Sequence, residues 1–424
     1  MISRSIFILV LISGAATSSI AAPPSPASSP SLSLAEAQRL AASNAPQLAA
    51  QSAALRAAQQ SRIGAEQQAD PKLLIGIDNL PVDGADRYSV ARDFMTMRKI
   101  GFMQEFTPSE KLQLRGLRAD AEIRKEAALL SVAEVNLRRD VALAWIDRHF
   151  AERQRVLLME MSRESELQIT AATAALAGGK GMAADPFAAK LAYAQLEDRL
   201  IDSERMIARA QATLGRWIGS SAKMPLDAPP AFDQLAHRHD RLTANLDDHP
   251  HLAMYPALQS MAESDMRIAQ AAKYPNWNLE VAYQQRGPAF SNMVSIGVSI
   301  DLPILQSRRQ DPAIAAKSAM VEQIRAQSED ARRVLSAELE SMIADWDAAG
   351  KRVQRYASDL VPLARERSTV ALASYRGGRG DLTPVLEARK VEIETRMNQL
   401  AAQNELARAR ANLNFQLPES RDSK

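Results

Sequence analysis

The sequence is one unit written twice. The run NAPQLAAQSAALRAAQQSRIGAEQQADPKLLIGID is answered by DHPHLAMYPALQSMAESDMRIAQAAKYPNWNLEVA, with Pro46 over Pro250, Leu48 over Leu252 and Pro71 over Pro275, each 204 positions apart. Farther along, Gly178-Gly179-Lys180-Gly181 matches Gly377-Gly378-Arg379-Gly380, and ARAQATL from Ala208 matches ARARANL from Ala407, both at an offset of 199. This duplication overrides the two or three domains that a chain of 424 residues would suggest by length alone.

Each half runs in the same order: a helix, two alternating segments, a very long helix, a Gly-rich turn and a returning helix. Ser33 with Glu36 forms a capping box that opens the first helix, and Asn44-Ala45-Pro46 interrupts it. Between Ser109 and Ala177 there is no proline and one glycine, Gly116, while Leu130, Leu137 and Ala144 recur at heptad spacing. A helix over about 109–176 would be roughly 100 Å long at about 1.5 Å per residue. Such a rod needs other rods along its length. The second long helix, about 307–376, contains Pro312, Gly350 and Pro362, and a kink or break is expected near Pro362. Returning helices are expected at about 185–217 and 382–415. The repeats therefore span 33–219 and 249–417, joined by a linker at 220–248 that carries Pro225, Pro229 and Pro230, with a tail at 418–424.

In the second half Trp277, Leu279, Val281 and Tyr283 alternate with Asn278, Glu280, Ala282 and Gln284. After a turn at Gly287-Pro288, Val294, Ile296, Val298, Ile300 and Leu302 alternate with Ser295, Gly297, Ser299 and Asp301. The period of two predicts a hairpin over about 276–302 with one apolar and one polar face. Its strand length and terminal aromatics fit a membrane barrel, and a soluble sandwich sheet is the alternative. A rougher hairpin over about 72–106 sets Leu73, Ile75 and Ile77, then Phe94, Ile100, Phe102 and Phe106, against Gly76, Asp78, Lys99, Gly101 and Glu105. Four strands cannot close a barrel, since the smallest membrane barrels need about eight. The unpaired edges therefore predict an oligomer that shares one barrel.

The first residues, MISRSIFILVLISGAATSSIAAPP, carry Arg4, a short apolar core and small residues before Pro23, so 1–22 reads as a secretory signal peptide cut near Ala21 or Ala22. Residues 23–32 read as a flexible lead-in. No later segment approaches the roughly 20 apolar residues of a spanning helix. The chain has no cysteine, which excludes disulfides, thiolate metal sites and an acylated N-terminal cysteine. Membrane retention must then fall to β-strands. With 52 basic and 50 acidic residues the net charge is +2, which gives no cationic footprint for nucleic acid.

The signal peptide, the duplicated helix–hairpin–long helix–turn–helix unit and the paired Gly-rich turns together resemble the TolC-like outer-membrane efflux family over nearly all of the mature chain. The resemblance implies a mainly α fold with β: four membrane strands per chain and long periplasmic coiled-coil hairpins. It also implies a homotrimer whose twelve-stranded barrel sits in outer-membrane lipid. The helical tunnel of such a trimer meets a periplasmic adaptor and an inner-membrane pump of the RND type. DNLPVDG from Asp78, followed by RDFMTMRKIGFMQEF from Arg92, resembles the heavy-metal branch that includes CzcC and CusC, over one hairpin only. Many outer-membrane partners of such pumps carry an acylated cysteine, and this chain departs from them.

By helix geometry the two Gly-rich turns, Gly178, Gly179 and Gly181 with Gly377, Gly378 and Gly380, lie at the end farthest from the strands. Asp185 and Asp381 follow them. In a trimer they could form carboxylate rings that constrict the tip and favour cations, or they could serve as helix N-caps. Lys180, Arg379, Leu382 and Thr383 are candidates for adaptor contact by position. On the polar strand face Met95, Met97, Met103, Glu105, Glu280 and Asp301 are lumen candidates, and thioethers suit soft ions such as Cu(I), although packing is the simpler role for the methionines. Trp277, Leu279, Val281, Tyr283, Val294, Ile296, Val298 and Ile300 are expected to face lipid. His237 and His239 lie in the linker with His249 and His251 near, and His149 stands alone on the long helix, so no stored metal and no cofactor is expected. Neither GxSxG nor HExxH occurs, and Gly178-Gly179-Lys180-Gly181 lacks the spacing and the Ser/Thr of a phosphate loop, so an enzyme is not expected. Three functions compete: an exit duct for heavy-metal cations, the same duct serving drugs or a type I secreted protein, and a periplasmic coiled-coil scaffold or adaptor without membrane strands.

Overall fold

A computed structural model describes residues 31–179, 181–232, 234 and 246–416. The expected signal peptide, most of the lead-in, Lys180, His237, His239 and the tail lie outside the described residues. The first repeat comprises α1 (Leu34–Asn44), α2 (Pro46–Ala65), β1 (Lys72–Asp78), β2 (Met97–Phe106), α3 (Ser109–Ala177) and α4 (Asp185–Ile218). The second comprises α5 (Pro250–Ala253), α6 (Tyr255–Ala271), β3 (Trp277–Gln285), β4 (Met293–Ile300), α7 (Gln310–Arg355), α8 (Val361–Arg376) and α9 (Leu382–Asn414). The chain is 71% helical with one small antiparallel sheet, a mainly α fold with β. No described helix is long and apolar enough to cross a membrane.

Local chemistry explains the helix boundaries. The Ser33 hydroxyl accepts the Glu36 N–H at 3.1 Å and opens α1, and Pro46 enters α2 in its first turn, where a missing N–H costs nothing. Without a helix breaker, α3 runs 69 residues, about 100 Å at about 1.5 Å per residue. Its partner in the second repeat is not broken at Pro362. A π-helical turn, Tyr356–Leu360, joins α7 to α8 just before that proline. The wider turn absorbs the missing N–H and the clash of the ring with the preceding carbonyl, so the rod continues.

The rods bundle around three belts, and a fourth, smaller cluster packs Leu252 of α5 against Leu335 and Leu339 of α7. The largest packs Leu137, Val141 and Trp145 of α3 against Leu214 and Ile218 of α4, Ala37 and Ala41 of α1, and Ala407 and Ala411 of α9. Trp145 Nε1 donates to the Leu32 carbonyl at 3.0 Å, and Leu32 pairs in turn with Leu226, which ties the entry of the first repeat to the segment after α4. Burying such aliphatic side chains gives about 1.5–3 kcal/mol each and accounts for rods that would not persist singly. The second belt joins Leu157, Leu158 and Met161 to Leu196, and the third lies at the helical tips.

The strands form one sheet in the order β1-β2-β3-β4, antiparallel throughout. The central β2–β3 pairing joins the two repeats, from Arg98 opposite Gln285 to Phe106 opposite Trp277. Both edges, β1 and β4, are unpaired in the single chain.

Candidate functional site

The sheet divides its side chains cleanly by period two. One face stacks Ile75, Ile100, Tyr283 and Val294 in a cross-strand row, and Leu73, Phe102, Val281 and Ile296 in the next, with Leu279 and Val298 beyond. No layer covers it: Ile75 is 75% exposed and Ile296 73%. At the end nearest the helices Phe106 stacks on Trp277 with centroids 4.2 Å apart, opposite Ile300. The face is a bare apolar band edged at this end by aromatic rings.

The other face carries Met97, Lys99, Gly101, Met103 and Glu105 of β2 beside Asn278, Glu280, Ala282 and Gln284 of β3. Lys99 reaches along it to form an ion pair with Glu280. Between them lie Gly101 and Ala282, where space is short: a Cβ on Gly101 would stand 2.7 Å from the Ala282 Cβ and 2.9 Å from the Val281 carbonyl oxygen. Glu105 accepts from the Asn276 amide at 2.7 Å. Met95 is not on this face, because β2 begins at Met97; Met95 sits exposed in the preceding loop, its N–H bonded to Asp93. Asp301 is exposed just past the end of β4. Met293, opposite Gln284, adds a methionine to the polar face. Its parity with Ser295 and Ser299 could have revealed it, had the fourth strand been started one residue earlier than Val294.

At the far end the two hairpin tips close in the same way. Gly178 and Gly179 donate to the carbonyls of Ala174 and Leu176, as Gly377 and Gly378 do to Ala373 and Tyr375, all at 2.9–3.0 Å. Gly179 at φ +72° and Gly378 at φ +67° occupy the left-handed region that ends helices in this manner. The residues 199 positions apart in sequence are thus equivalent in conformation. Ala172, Ala189, Leu382 and Val385 form the third belt, with Tyr375 and Leu386 against it, and this belt holds the tips side by side.

The acidic residues of the tip differ in setting. Asp185 is buried at the first position of α4, and its carboxylate turns back to accept the Met182 N–H at 3.0 Å; it does not cap the helix. Asp381 holds the N-cap position of α9 with extended backbone, makes no side-chain cap bond and is exposed. Arg379 and Thr383 are exposed, whereas Leu382 is 2% exposed and faces the belt. The hydroxyl of Tyr375 is buried without a partner among the described residues, and burial, aided by the negative charge of Asp185, raises its pKa above the usual phenol value. Sequence reading did not single out this tyrosine, because an aromatic at helical spacing carries no polar signature.

Among the described residues no three His, Asp or Glu side chains gather to hold a metal. His249 Nδ1 accepts the His251 N–H at 3.3 Å, which leaves Nε2 to donate to Gln416 Oε1 at 3.1 Å. Burial pushes its pKa down to about 4, so the ring is a neutral structural link. A shallow cleft between α3, α4 and α9 includes Glu164, Arg389 and Glu392, but Arg389 bridges the two carboxylates at 3.2 and 2.8 Å, so these charges are spent on one another.

Residues 242–417 match the outer membrane efflux protein family. No curated protein matches the sequence significantly. The fold is shared with solved structures over most of their length. A membrane protein from Pseudomonas aeruginosa is 15% identical with a TM-score of 0.78, covering 94% of this chain and 99% of that one. CusC, solved in a study of folding and transmembrane channel formation, is 14% identical with a TM-score of 0.77, covering 91% and 92%. The open-state outer membrane channel MtrE of Neisseria gonorrhoeae is 15% identical with a TM-score of 0.77, covering 92% and 90%. CusC and MtrE score alike, so this likeness defines the fold and does not choose a branch within it.

Proposed function

We propose that the chain is the outer-membrane exit duct of an efflux system, a reading supported by the match of residues 242–417 to the outer membrane efflux protein family and by the fold shared with solved outer membrane channels. The observation that carries this reading is a four-stranded sheet with a bare apolar face and two unpaired edges, set on helical rods. Unpaired strand edges cannot persist in hydrocarbon, because each unsatisfied N–H or C=O there costs several kcal/mol. Three copies joined β4 to β1 close a barrel of twelve strands, with the apolar face toward lipid and the face of Met97, Lys99, Glu105 and Glu280 toward the lumen. Each copy is incomplete alone.

The tip then faces the periplasm, about 100 Å away. Exposed Asp381 supplies the carboxylate ring of the constriction, while Asp185 braces its own turn. Arg379 and Thr383 face the adaptor, and an RND-type inner-membrane pump supplies the energy. Heavy-metal cations are the cargo favoured by the hairpin resemblance and by Met97, Met103 and Met293 on the lumen face. A gel of the membrane fraction tests the duct: an oligomer that resists detergent until heated, in the outer-membrane fraction, is expected, and a soluble periplasmic monomer would reject it. Loss of tolerance to copper, silver, zinc, cobalt or cadmium in a deletion strain tests the cargo. Unchanged metal tolerance with lost antibiotic tolerance would assign the duct to drugs instead.

A further inference from the structure

The outer end of the sheet carries two arginines that have no acidic partner among the described residues. Arg98 lies on the apolar face of β2 with Ile100 and Phe102, opposite Ile77 of β1 and Gln285 of β3. It stands eight residues from Phe106, which is about 27 Å along the strand at about 3.4 Å per residue, or roughly 20 Å of height at a tilt near 40°. An apolar band about 25 Å tall places Arg98 at the opposite rim from the Phe106–Trp277 stack, where acyl chains give way to head groups.

Arg286, just past β3, stands beside it. Arg98 Nη2 donates to the Arg286 carbonyl at 3.4 Å, Arg286 donates to the Phe94 carbonyl, and the Arg286 guanidinium lies over the Phe290 ring at 4.9 Å. Both side chains are half-buried, and both Nε atoms are buried without a hydrogen-bond partner among the described residues. Two of the loop carboxylates are engaged elsewhere: Asp86 with Arg92 at 3.5 Å, and Asp93 with the N–H groups of Met95 and Thr96 at 2.8 and 3.1 Å. Each guanidinium donates only to a backbone carbonyl, Arg98 to that of Arg286 and Arg286 to that of Phe94, and at a hydrocarbon rim neither has a counter-charge among the described residues.

We propose that Arg98 and Arg286 clamp the phosphate of an anionic glycolipid in the outer leaflet. This rests on the reading of the sheet as a membrane barrel. The guanidinium fork pairs with phosphate through two parallel charge-assisted bonds, and stacking on Phe290 keeps Arg286 flat for that geometry. Ile77, Ile100 and exposed Phe94 lie beside the clamp and would meet the acyl chains, which a free phosphate in water does not have. The charge and the apolar surface together select a lipid.

Purified protein in detergent is titrated with diphosphoryl lipid A, with the same glycolipid after dephosphorylation, and with inorganic phosphate, following bound lipid by native mass spectrometry. Lipid A is expected to be retained and the other two not. In the R98Q/R286Q double variant lipid A should bind roughly tenfold or more weakly, as expected for loss of hydrogen bonds between charged groups, and Arg98→Lys should recover part of the loss. Equal retention of the dephosphorylated lipid by the unaltered protein overturns the clamp without recourse to any variant, as does unchanged retention by the double variant. Equal binding of inorganic phosphate overturns the lipid source. A chain that enters lipid as a heat-sensitive oligomer but does not distinguish lipid A from its dephosphorylated form defeats only the clamp, whereas a chain that never enters lipid defeats the barrel.

Discussion

A buried hydroxyl with no partner costs about 1–3 kcal/mol of lost hydration, and Tyr375 carries one in the belt that joins the two tips. Removing that oxygen without changing the ring should relieve the cost, so Tyr375→Phe is expected to raise stability by about 1 kcal/mol, read as a higher thermal midpoint; a lower midpoint would mean that the hydroxyl has a partner in the assembly. His249 works in the opposite sense. Its pKa falls from 6.5 in the unfolded chain to about 4 in the fold, chiefly by burial. The unfolded state therefore takes up the proton first as pH drops, so the stabilisation is complete above pH 6.5 and is lost between 6.5 and 4. Thermal midpoints should decline across that window, and His249→Gln should flatten the decline in part, because His149 is depressed to about 4 as well. The same slope in both proteins would show that His249 is not the group responsible. Residue type and spacing alone left these settings hidden. Asp185 and Asp381 look alike as acids after a glycine turn, yet one is buried against Met182 and the other is exposed.

Elements were far more legible than sites, since periodicity survives tertiary packing and side-chain partners do not. Sixty-nine residues without a proline can hardly be anything but a rod, and the alternation from Trp277 to Gln284 allows few alternatives to a strand with two unlike faces. What periodicity could not supply was the response to Pro362, because a helix can answer a proline by breaking, bending or widening, and here it widens over Tyr356–Leu360. Nor could it show that the two hairpins join through β2 and β3, and that pairing can be tested. Gly101 is closed in by Ala282 and Val281 backbone atoms, whereas Gly76, on the same face of β1, has nothing within 4 Å. Gly101→Ala should force β2 and β3 apart and abolish the heat-sensitive oligomer on an unheated gel. Gly76→Ala should leave it intact. Equal behaviour of the two variants would place the joint elsewhere.

On the scale of the whole molecule, duplication explains why one chain has two tips, two hairpins and two kinds of rod, with a continuous first rod and a π turn in the second. The halves are not interchangeable: the segment between β1 and β2 spans 79–96, while that between β3 and β4 spans only 286–292. The two unpaired strand edges have a genetic counterpart. In the proposed assembly a barrel wall passed from chain to chain would make every copy answerable for its neighbours, so a faulty subunit would not merely fail to contribute but would occupy a place that a sound one would have filled. Gly101→Ala leaves the outer edges of β1 and β4 unaltered, so it can still join sound neighbours although altered chains alone form no stable oligomer. Its expression beside the intact gene should therefore lower efflux below the level given by the intact gene alone, measured as survival on the exported toxicant, and unaltered survival would argue that faulty chains are excluded before assembly. For such a protein, harm spreads by membership, and a second good copy of the gene is a poor insurance.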